Sequence, residues 1–317
     1  MAANNPFVRP KDRPLVTGHR GVPTIEQENT IAGLRRAVEL GIPAVEIDVM
    51  VTACGNVVLF HDDDTERLTG EPGSIAARDL AEVSRLRVRR RLYMGAGPDG
   101  ECWINYPRER TIPLLAEVLD EFKGKLAINV EMKPSSPDWS HRHDGAIVAR
   151  VIRDAGAEDS VIVTSFDFLK LRALEHEHAA LHSGFTYDDG LFDGVLSWMR
   201  WVPGLRAHMT LPEQERGADH VIGRLLEANA VGSWVGSTVC GAEHVLLGPD
   251  TVARLRGHGV EAVGAYTLFP LDTRTVKRAA QRGADERVEL DRVIGLGVDW
   301  IETDDPERML EYIGLPS

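Results

Sequence analysis

Two acidic residues, Glu46 and Asp48, lie within the apolar run Ala44 to Val51, which has the character of a buried strand. Side chains alternate across a strand, so both carboxylates point to one face and the apolar residues between them point to the other. At about 4 Å and an effective dielectric near 20, two such carboxylates repel each other by roughly 4 kcal/mol. Burying them is strongly unfavourable without a cation, so this run predicts a metal site.

A second apolar run, from Leu126 to Lys133, repeats the arrangement and sets Glu131 and Lys133 on one face. Carboxylate oxygens are hard ligands that suit Mg²⁺ or Ca²⁺ better than a soft metal. We therefore predict one divalent ion, Mg²⁺ or Ca²⁺, held by Glu46, Asp48 and Glu131.

Two histidines and an arginine follow other predicted strands. His19 and Arg20 end the first strand, and His61 ends the third, next to Asp62. Arg20 can form a forked contact with phosphate oxygens, and Lys133 adds a point charge. Two histidines suit an in-line displacement, in which one takes a proton from the attacking oxygen and the other gives a proton to the leaving oxygen.

Strand-like and helix-like segments alternate along most of the chain. About eight strands predict an α/β fold, a parallel TIM (β/α)8 barrel, whose strands end at one mouth where these side chains would meet. An open doubly wound sheet is the rival, although no G-x-G-x-x-G motif follows the first strand. We expect a strand near 230–235, and we expect the polar connection 62–110 to add little core.

Length and composition are those of a globular protein, with 317 residues of which 43% are hydrophobic. We expect one domain over 1–317, with a loose N-terminal arm at 1–13 and loop insertions at 187–217 and 272–288. The net charge of −13 argues against nucleic acid as a partner. The sequence has no apolar stretch long enough to span a membrane and no secretion signal, so the expected location is cytoplasmic.

The motifs occur in an order that resembles the glycerophosphodiester phosphodiesterases. The resemblance rests on His19-Arg20-Gly21, Glu28-Asn29-Thr30, Glu46-x-Asp48, His61-Asp62, Glu131-x-Lys133 and the closing segment Trp300 to Pro306. It implies a TIM barrel of the phospholipase-C-like phosphodiesterase type. It also implies metal-dependent hydrolysis of a small-molecule glycerophosphodiester to glycerol phosphate and an alcohol.

By this resemblance, His19 and His61 match the general acid–base pair, and the three clustered acids match the metal ligands. Arg20 and Lys133 match the cations beside the phosphate, and Glu28 matches a residue of the substrate pocket. Tyr266 stands where the family more often has tryptophan, and we expect it to contact the substrate.

Other functions remain open from the sequence. A lysophospholipase D, or a phosphodiesterase that releases a cyclic phosphate, would use the same barrel and the same residues. A catalytically idle protein that only captures glycerophosphodiesters has no use for two proton-transfer groups.

Overall fold

A computed structural model describes residues 4–97, 99–134, 139–188, 223–273 and 285–314. Eight parallel strands close into a barrel in the order β1-β2-β6-β7-β8-β9-β10-β11, with β11 pairing back to β1. The predicted TIM barrel is therefore confirmed. The strands are β1 (Leu15–Gly18), β2 (Ala44–Val51), β3 (Val57–Leu59), β4 (Arg91–Gly97), β5 (Gly100–Asn105), β6 (Ala127–Met132), β7 (Val161–Ser165), β8 (His182–Tyr187), β9 (Val239–Glu243), β10 (Ala262–Leu268) and β11 (Trp300–Thr303).

Helices cover the outside of this barrel, and the main core lies between the two layers. Val45 and Ile47 of β2, for example, belong to the same buried apolar cluster as Leu34 and Ala37 of the first helix. The helices are Ile31–Glu39, Glu66–Thr69, Leu80–Val83, Leu115–Phe122, Asp144–Ala155, Phe168–Glu177, Ala230–Val235, Thr251–Gly257, Glu286–Gly295 and Pro306–Ile313.

β3 is not a strand of the barrel. It runs antiparallel to β2, pairing Leu59 with Val49, because the chain turns back at Gly55 instead of crossing over through a helix. The expectation that His61 follows a third barrel strand was therefore wrong. β2 and β3 form a hairpin whose second strand returns toward the level of Asp48, where the Phe60 amide donates to the Asp48 carbonyl at 3.0 Å.

The connection 62–110 has a core of its own, contrary to expectation. Its apolar residues are widely spaced in the sequence, but Leu68, Ile75, Leu86 and Leu92 are each no more than 1% exposed. They pack together in a second buried cluster beside the barrel, next to a hairpin formed by β4 and β5. The sequence did not reveal this cluster, because its residues lie in short, irregular elements and show no helix or strand period.

The strand expected near 230–235 was also wrong. That segment is a helix, Ala230–Val235, which ends at Gly236 in the left-handed conformation with φ of 94°. The strand follows as β9. A short apolar run fits a buried strand and a buried helix equally well, so hydrophobic pattern alone could not separate them.

The N-terminal arm is anchored where the structure describes it. Phe7 is fully buried and packs edge-on against Trp300, with ring centroids 5.6 Å apart. The Asn5 side chain donates to the Val161 carbonyl at 2.8 Å. Phe7 clusters with residues that begin barrel strands, such as Ala44 and Ala262, so the arm closes the end of the barrel opposite the mouth.

The insertion expected at 187–217 lies outside the described residues except for its first two positions. The insertion expected at 272–288 is described only at 272–273 and 285–288. Among the described residues, no helix combines the length and apolar character needed to cross a bilayer.

Candidate active site

A cleft of about 550 Å³ opens at the carboxyl ends of the barrel strands. Eight of the nine predicted site residues line it, and the ninth, Glu46, is buried with 1% exposure. The eight that line the cleft are His19, Arg20, Glu28, Asp48, His61, Glu131, Lys133 and Tyr266.

The three predicted metal ligands form a cluster. Glu46, Asp48 and Glu131 each offer a carboxylate oxygen, and these oxygens lie within 4.8 Å of one another. Burial, together with the neighbouring Asp48 carboxylate, raises the pKa of Glu46 well above its usual range. Glu46 Oε1 is buried and accepts no hydrogen bond from the described residues. An unpartnered oxygen within a set of hard ligands fits a divalent ion such as Mg²⁺ or Ca²⁺.

Two neighbouring residues fix the orientation of these carboxylates. The Asn29 side chain donates to Asp48 Oδ2 at 2.8 Å and accepts from the Asp48 amide at 3.0 Å. Arg20 has a left-handed backbone with φ of 56°, and its amide donates to Glu46 Oε2 at 2.9 Å. Supporting contacts of this kind hold ligands in place before a metal arrives.

Two cations lie against the same cluster. Lys133 Nζ is 2.7 Å from Glu131 Oε1 and 3.4 Å from Asp48 Oδ1. Arg20 Nε is 3.3 Å from Asp48 Oδ2. Burial lowers the pKa of Lys133, but the Glu131 and Asp48 carboxylates outweigh this effect and raise it. Both side chains therefore stay charged in the cleft.

His19 follows β1, and its ring is held by a residue that follows β11. Its Nδ1 lies 2.6 Å from Asp304 Oδ1, and its amide donates to the Thr303 carbonyl at 2.8 Å. Because an ionised carboxylate only accepts hydrogen bonds, Nδ1 carries a proton and Nε2 is the nitrogen left for chemistry. Nε2 lies 4.0 Å from Glu46 Oε2, beside the carboxylate cluster.

His61 follows β3 and is also held by a carboxylate. Its Nδ1 lies 2.7 Å from Asp62 Oδ1. Burial lowers the pKa of His61, and the nearby Arg20 lowers it further. The Asp62 carboxylate therefore fixes the orientation of the His61 ring.

Comparison with known proteins assigns the chain to a family. Residues 19–308 match the sequence profile of the Glycerophosphoryl diester phosphodiesterase family. The chain belongs to this family. A glycerophosphodiester phosphodiesterase from Caldanaerobacter subterraneus is 28% identical over 300 residues, which cover 94% of this chain and 97% of the relative. The predicted enzyme class, a glycerophosphodiester phosphodiesterase, is confirmed.

Solved structures share the barrel. A phosphodiesterase from Oleispira antarctica, in complex with the product sn-glycerol-3-phosphate, is 20% identical with a TM-score of 0.64 and covers 95% of this chain and 97% of its own. A glycerophosphodiester phosphodiesterase from Thermotoga maritima is 18% identical with a TM-score of 0.58, covering 95% and 99% respectively.

Tyr266 lies on the side of the phosphodiesterase cleft formed by β7 to β10. Its hydroxyl donates to the Tyr187 carbonyl at 2.7 Å, and its ring stands edge-on to Phe166 with centroids 6.3 Å apart. Burial raises the pKa of Tyr266 well above its usual range, so the hydroxyl stays neutral. The contact of Tyr266 with the substrate stays a prediction.

Sequence reasoning missed several residues that support the site. Either Asn29 or Thr30 was expected to cap the next helix, and Thr30 does so, accepting from the Gly33 amide at 3.2 Å. The contact of Asn29 with Asp48 was not foreseen. The partner role of Asp304 for His19 was also missed, because 285 positions separate the two residues. In a closed barrel the last strand pairs with the first, which would have placed Asp304, after β11, beside His19, after β1.

A fourth buried acid, Glu302, was also missed. It lines the cleft on β11, and its Oε1 accepts from Trp300 Nε1 at 3.0 Å and from Asn129 Nδ2 at 2.8 Å. Burial raises the pKa of Glu302 to about 7. Alternation along β11 places Glu302 on the inner face, but the sequence alone did not separate it from an ordinary rim residue.

Proposed function

We propose that this enzyme hydrolyses a glycerophosphodiester to glycerol phosphate and an alcohol by metal-dependent, two-histidine acid–base catalysis. One observation carries the proposal: two imidazoles, each with Nδ1 bound to a carboxylate, open onto the same cleft as three clustered acids. Stability of the fold alone requires neither the carboxylate-bound histidines nor the acid cluster, and it does not explain why both open onto one cleft.

Glu46, Asp48 and Glu131 would hold the divalent ion. When bound, the ion would supply positive charge that polarises a phosphoryl oxygen. Arg20 and Lys133 bind the other phosphoryl oxygens, and they hold the phosphorus between the two histidines.

The histidines transfer protons at Nε2, since the carboxylates of Asp304 and Asp62 occupy Nδ1. One Nε2 accepts the proton of the attacking oxygen, which belongs to water. The other Nε2 donates a proton to the departing alkoxide, so the alcohol leaves neutral.

The test replaces each histidine by alanine. His19→Ala and His61→Ala should each lower kcat at least about 10²-fold while leaving metal affinity intact. His258→Ala is the matched control, because His258 is an exposed histidine at the end of the helix Thr251–Gly257. Full activity in either cleft variant would refute the scheme.

Product analysis separates the related reactions. Phosphorus NMR distinguishes a phosphate monoester from a cyclic diester, and a parallel assay with lysolipids tests for lysophospholipase D activity. Glycerol phosphate from glycerophosphodiesters, formed with Mg²⁺ or Ca²⁺ and lost in EDTA, is the expected result.

A further inference from the structure

One partly buried cation, Arg67, connects Glu28 with Asp62. Arg67 lies in the short helix Glu66–Thr69, and its guanidinium sits between the carboxylates of Glu28 and Asp62. It forks onto Glu28, with Nη1 to Oε2 at 3.0 Å and Nη2 to Oε1 at 2.8 Å. It forks equally onto Asp62, with Nε to Oδ2 at 2.5 Å and Nη2 to Oδ1 at 2.9 Å.

Arg67 also lines the cleft, where phosphate binding is the alternative role for an arginine. Its four bonds to the carboxylates are joined by a fifth, from Nη1 to the Tyr93 carbonyl at 3.3 Å. A guanidinium has five N–H groups, and all five therefore have acceptors within the protein. No donor is left for a substrate oxygen. Arg20, in contrast, makes only one side-chain hydrogen bond among the described residues, to Glu28 at 3.2 Å.

The contacts of Arg67 form an unbroken path between two predicted functional groups. Asp62 holds His61 Nδ1 at one end, and Glu28 Oε1 holds Arg20 Nη1 at the other. Glu28 has only 1% exposure, so its charge needs a partner. Burial raises the pKa of Asp62, but its bonds to His61 and Arg67 outweigh this effect and lower it. Asp62 thus stays ionised, which keeps the His61 proton on Nδ1.

We propose that Arg67 is a positioning residue that fixes His61 and Arg20 relative to each other through Asp62 and Glu28. This inference rests on the proposed function, because it assigns Arg67 to the support of a proton-transferring His61. Arg67 acts on the reaction without touching the substrate.

The first experiment separates positioning from phosphate binding. Arg67→Ala should lower kcat by about 10- to 100-fold, the usual effect of removing a supporting contact, with KM changed by less than about threefold. Arg67→Lys keeps the charge between the two carboxylates but has only three donors, so it should fold and still lose about tenfold in kcat. A raised KM with unchanged kcat in either variant would make Arg67 a substrate ligand and overturn the inference.

The second experiment uses chemical rescue. Guanidinium ion can occupy the gap in Arg67→Ala and remake the bonds to both carboxylates, so it should raise kcat of that variant at least about fivefold, whereas NaCl at equal ionic strength should not. Arg35→Ala is the matched control, because Arg35 forks onto Glu121 at the exposed surface. It should keep wild-type kcat and gain nothing from guanidinium.

His61→Ala is measured in parallel to separate two kinds of failure. If His61→Ala keeps wild-type kcat, the proposed function fails. If His61→Ala is impaired while Arg67→Ala and Arg67→Lys keep wild-type kcat, only the assignment of Arg67 fails. An impaired but folded Arg67→Ala that guanidinium does not restore also overturns the assignment.

Discussion

Removing divalent cations should make the stability of the enzyme depend on pH through Glu302. Burial raises the pKa of this carboxyl to about 7, whereas its ordinary value is 4.5. The folded, metal-free protein therefore keeps a proton that the unfolded chain releases. This contribution to stability is fully present below pH 4.5 and is lost as the pH rises through 7. The difference of about 2.5 units corresponds to about 3 kcal/mol in the free energy of unfolding.

Other groups near the site titrate in different ways, so a variant is needed to isolate Glu302. The pKa of His61 is lowered in the folded protein, chiefly by burial, so its contribution to stability grows as the pH rises toward 6.5. The pKa values of Asp48 and Asp62 are lowered despite burial, by Lys133 and by His61 respectively, and their contributions are lost only below pH 3.8. Glu302→Gln removes the Glu302 titration and its repulsion of Glu46, and it keeps an oxygen that can accept from Trp300 and Asn129.

The assay is urea unfolding at pH 5 and at pH 7.5, in EDTA and in excess Mg²⁺ or Ca²⁺. In EDTA, the free energy of unfolding of the native enzyme should fall by about 2 kcal/mol more than that of Glu302→Gln between the two pH values, since part of the full difference is already lost at pH 5. With the cation bound, nearby positive charge favours the ionised carboxyl, so the two proteins should respond alike. Parallel responses of the two proteins in EDTA would refute the reasoning.

Two further predictions concern residues outside the predicted site set. Asn29→Ala removes both side-chain contacts with Asp48, so affinity for Mg²⁺ or Ca²⁺, measured by calorimetry, should fall about 10- to 100-fold; unchanged affinity would show that Asp48 needs no support. Phe7→Ala should lower the free energy of unfolding in urea by about 3 to 5 kcal/mol, because it empties a fully buried site at the closed end of the barrel, while kcat/KM stays as in the native enzyme. A loss under about 1 kcal/mol would mean that the arm does not anchor the barrel.

The strongest predictions from sequence were those that rest on periodicity. Alternation placed Glu46 and Asp48 on one face of β2, and the rule that barrel strands end at one mouth brought Glu131 to them from β6. Both inferences need only local geometry. The convergence of His61 was also correct, but the reason was not, because the tight turn at Gly55 leaves no room for a crossover and makes β3 antiparallel to β2.

The contacts that were missed depend on tertiary structure. Asp304 meets His19 only because β11 closes the barrel against β1, and Arg67 meets Glu28 only because the 62–110 connection packs beside the mouth. The second core of that connection is assembled from residues too scattered to show a period. Phe7 lies in a polar arm, and nothing before barrel closure shows that it has an apolar site to fill.

The charge of the cleft predicts that binding of the metal and binding of the substrate are linked. A phosphodiester is an anion, yet acids outnumber cations among the described residues of the cleft and its metal cluster. The acids are Glu28, Glu46, Asp48, Asp62, Glu131, Asp188, Glu243, Asp272, Glu302 and Asp304, and the cations are Arg20, Arg67 and Lys133. Arg67 is already neutralised by Glu28 and Asp62, and Lys133 is shared between Glu131 and Asp48.

Even with Glu46 and Glu302 protonated, the remaining acids leave an anionic substrate repelled rather than attracted. A divalent ion bound by the three clustered acids would reverse this balance at the proposed phosphate site, and the overall charge of −13 offers no other attraction. Because coupling between two ligands is reciprocal, whatever factor the ion adds to substrate affinity, the substrate adds to affinity for the ion. The two inward carboxylates on β2 are costly in the metal-free protein. By the proposed function, they would make binding of a phosphodiester conditional on the ion.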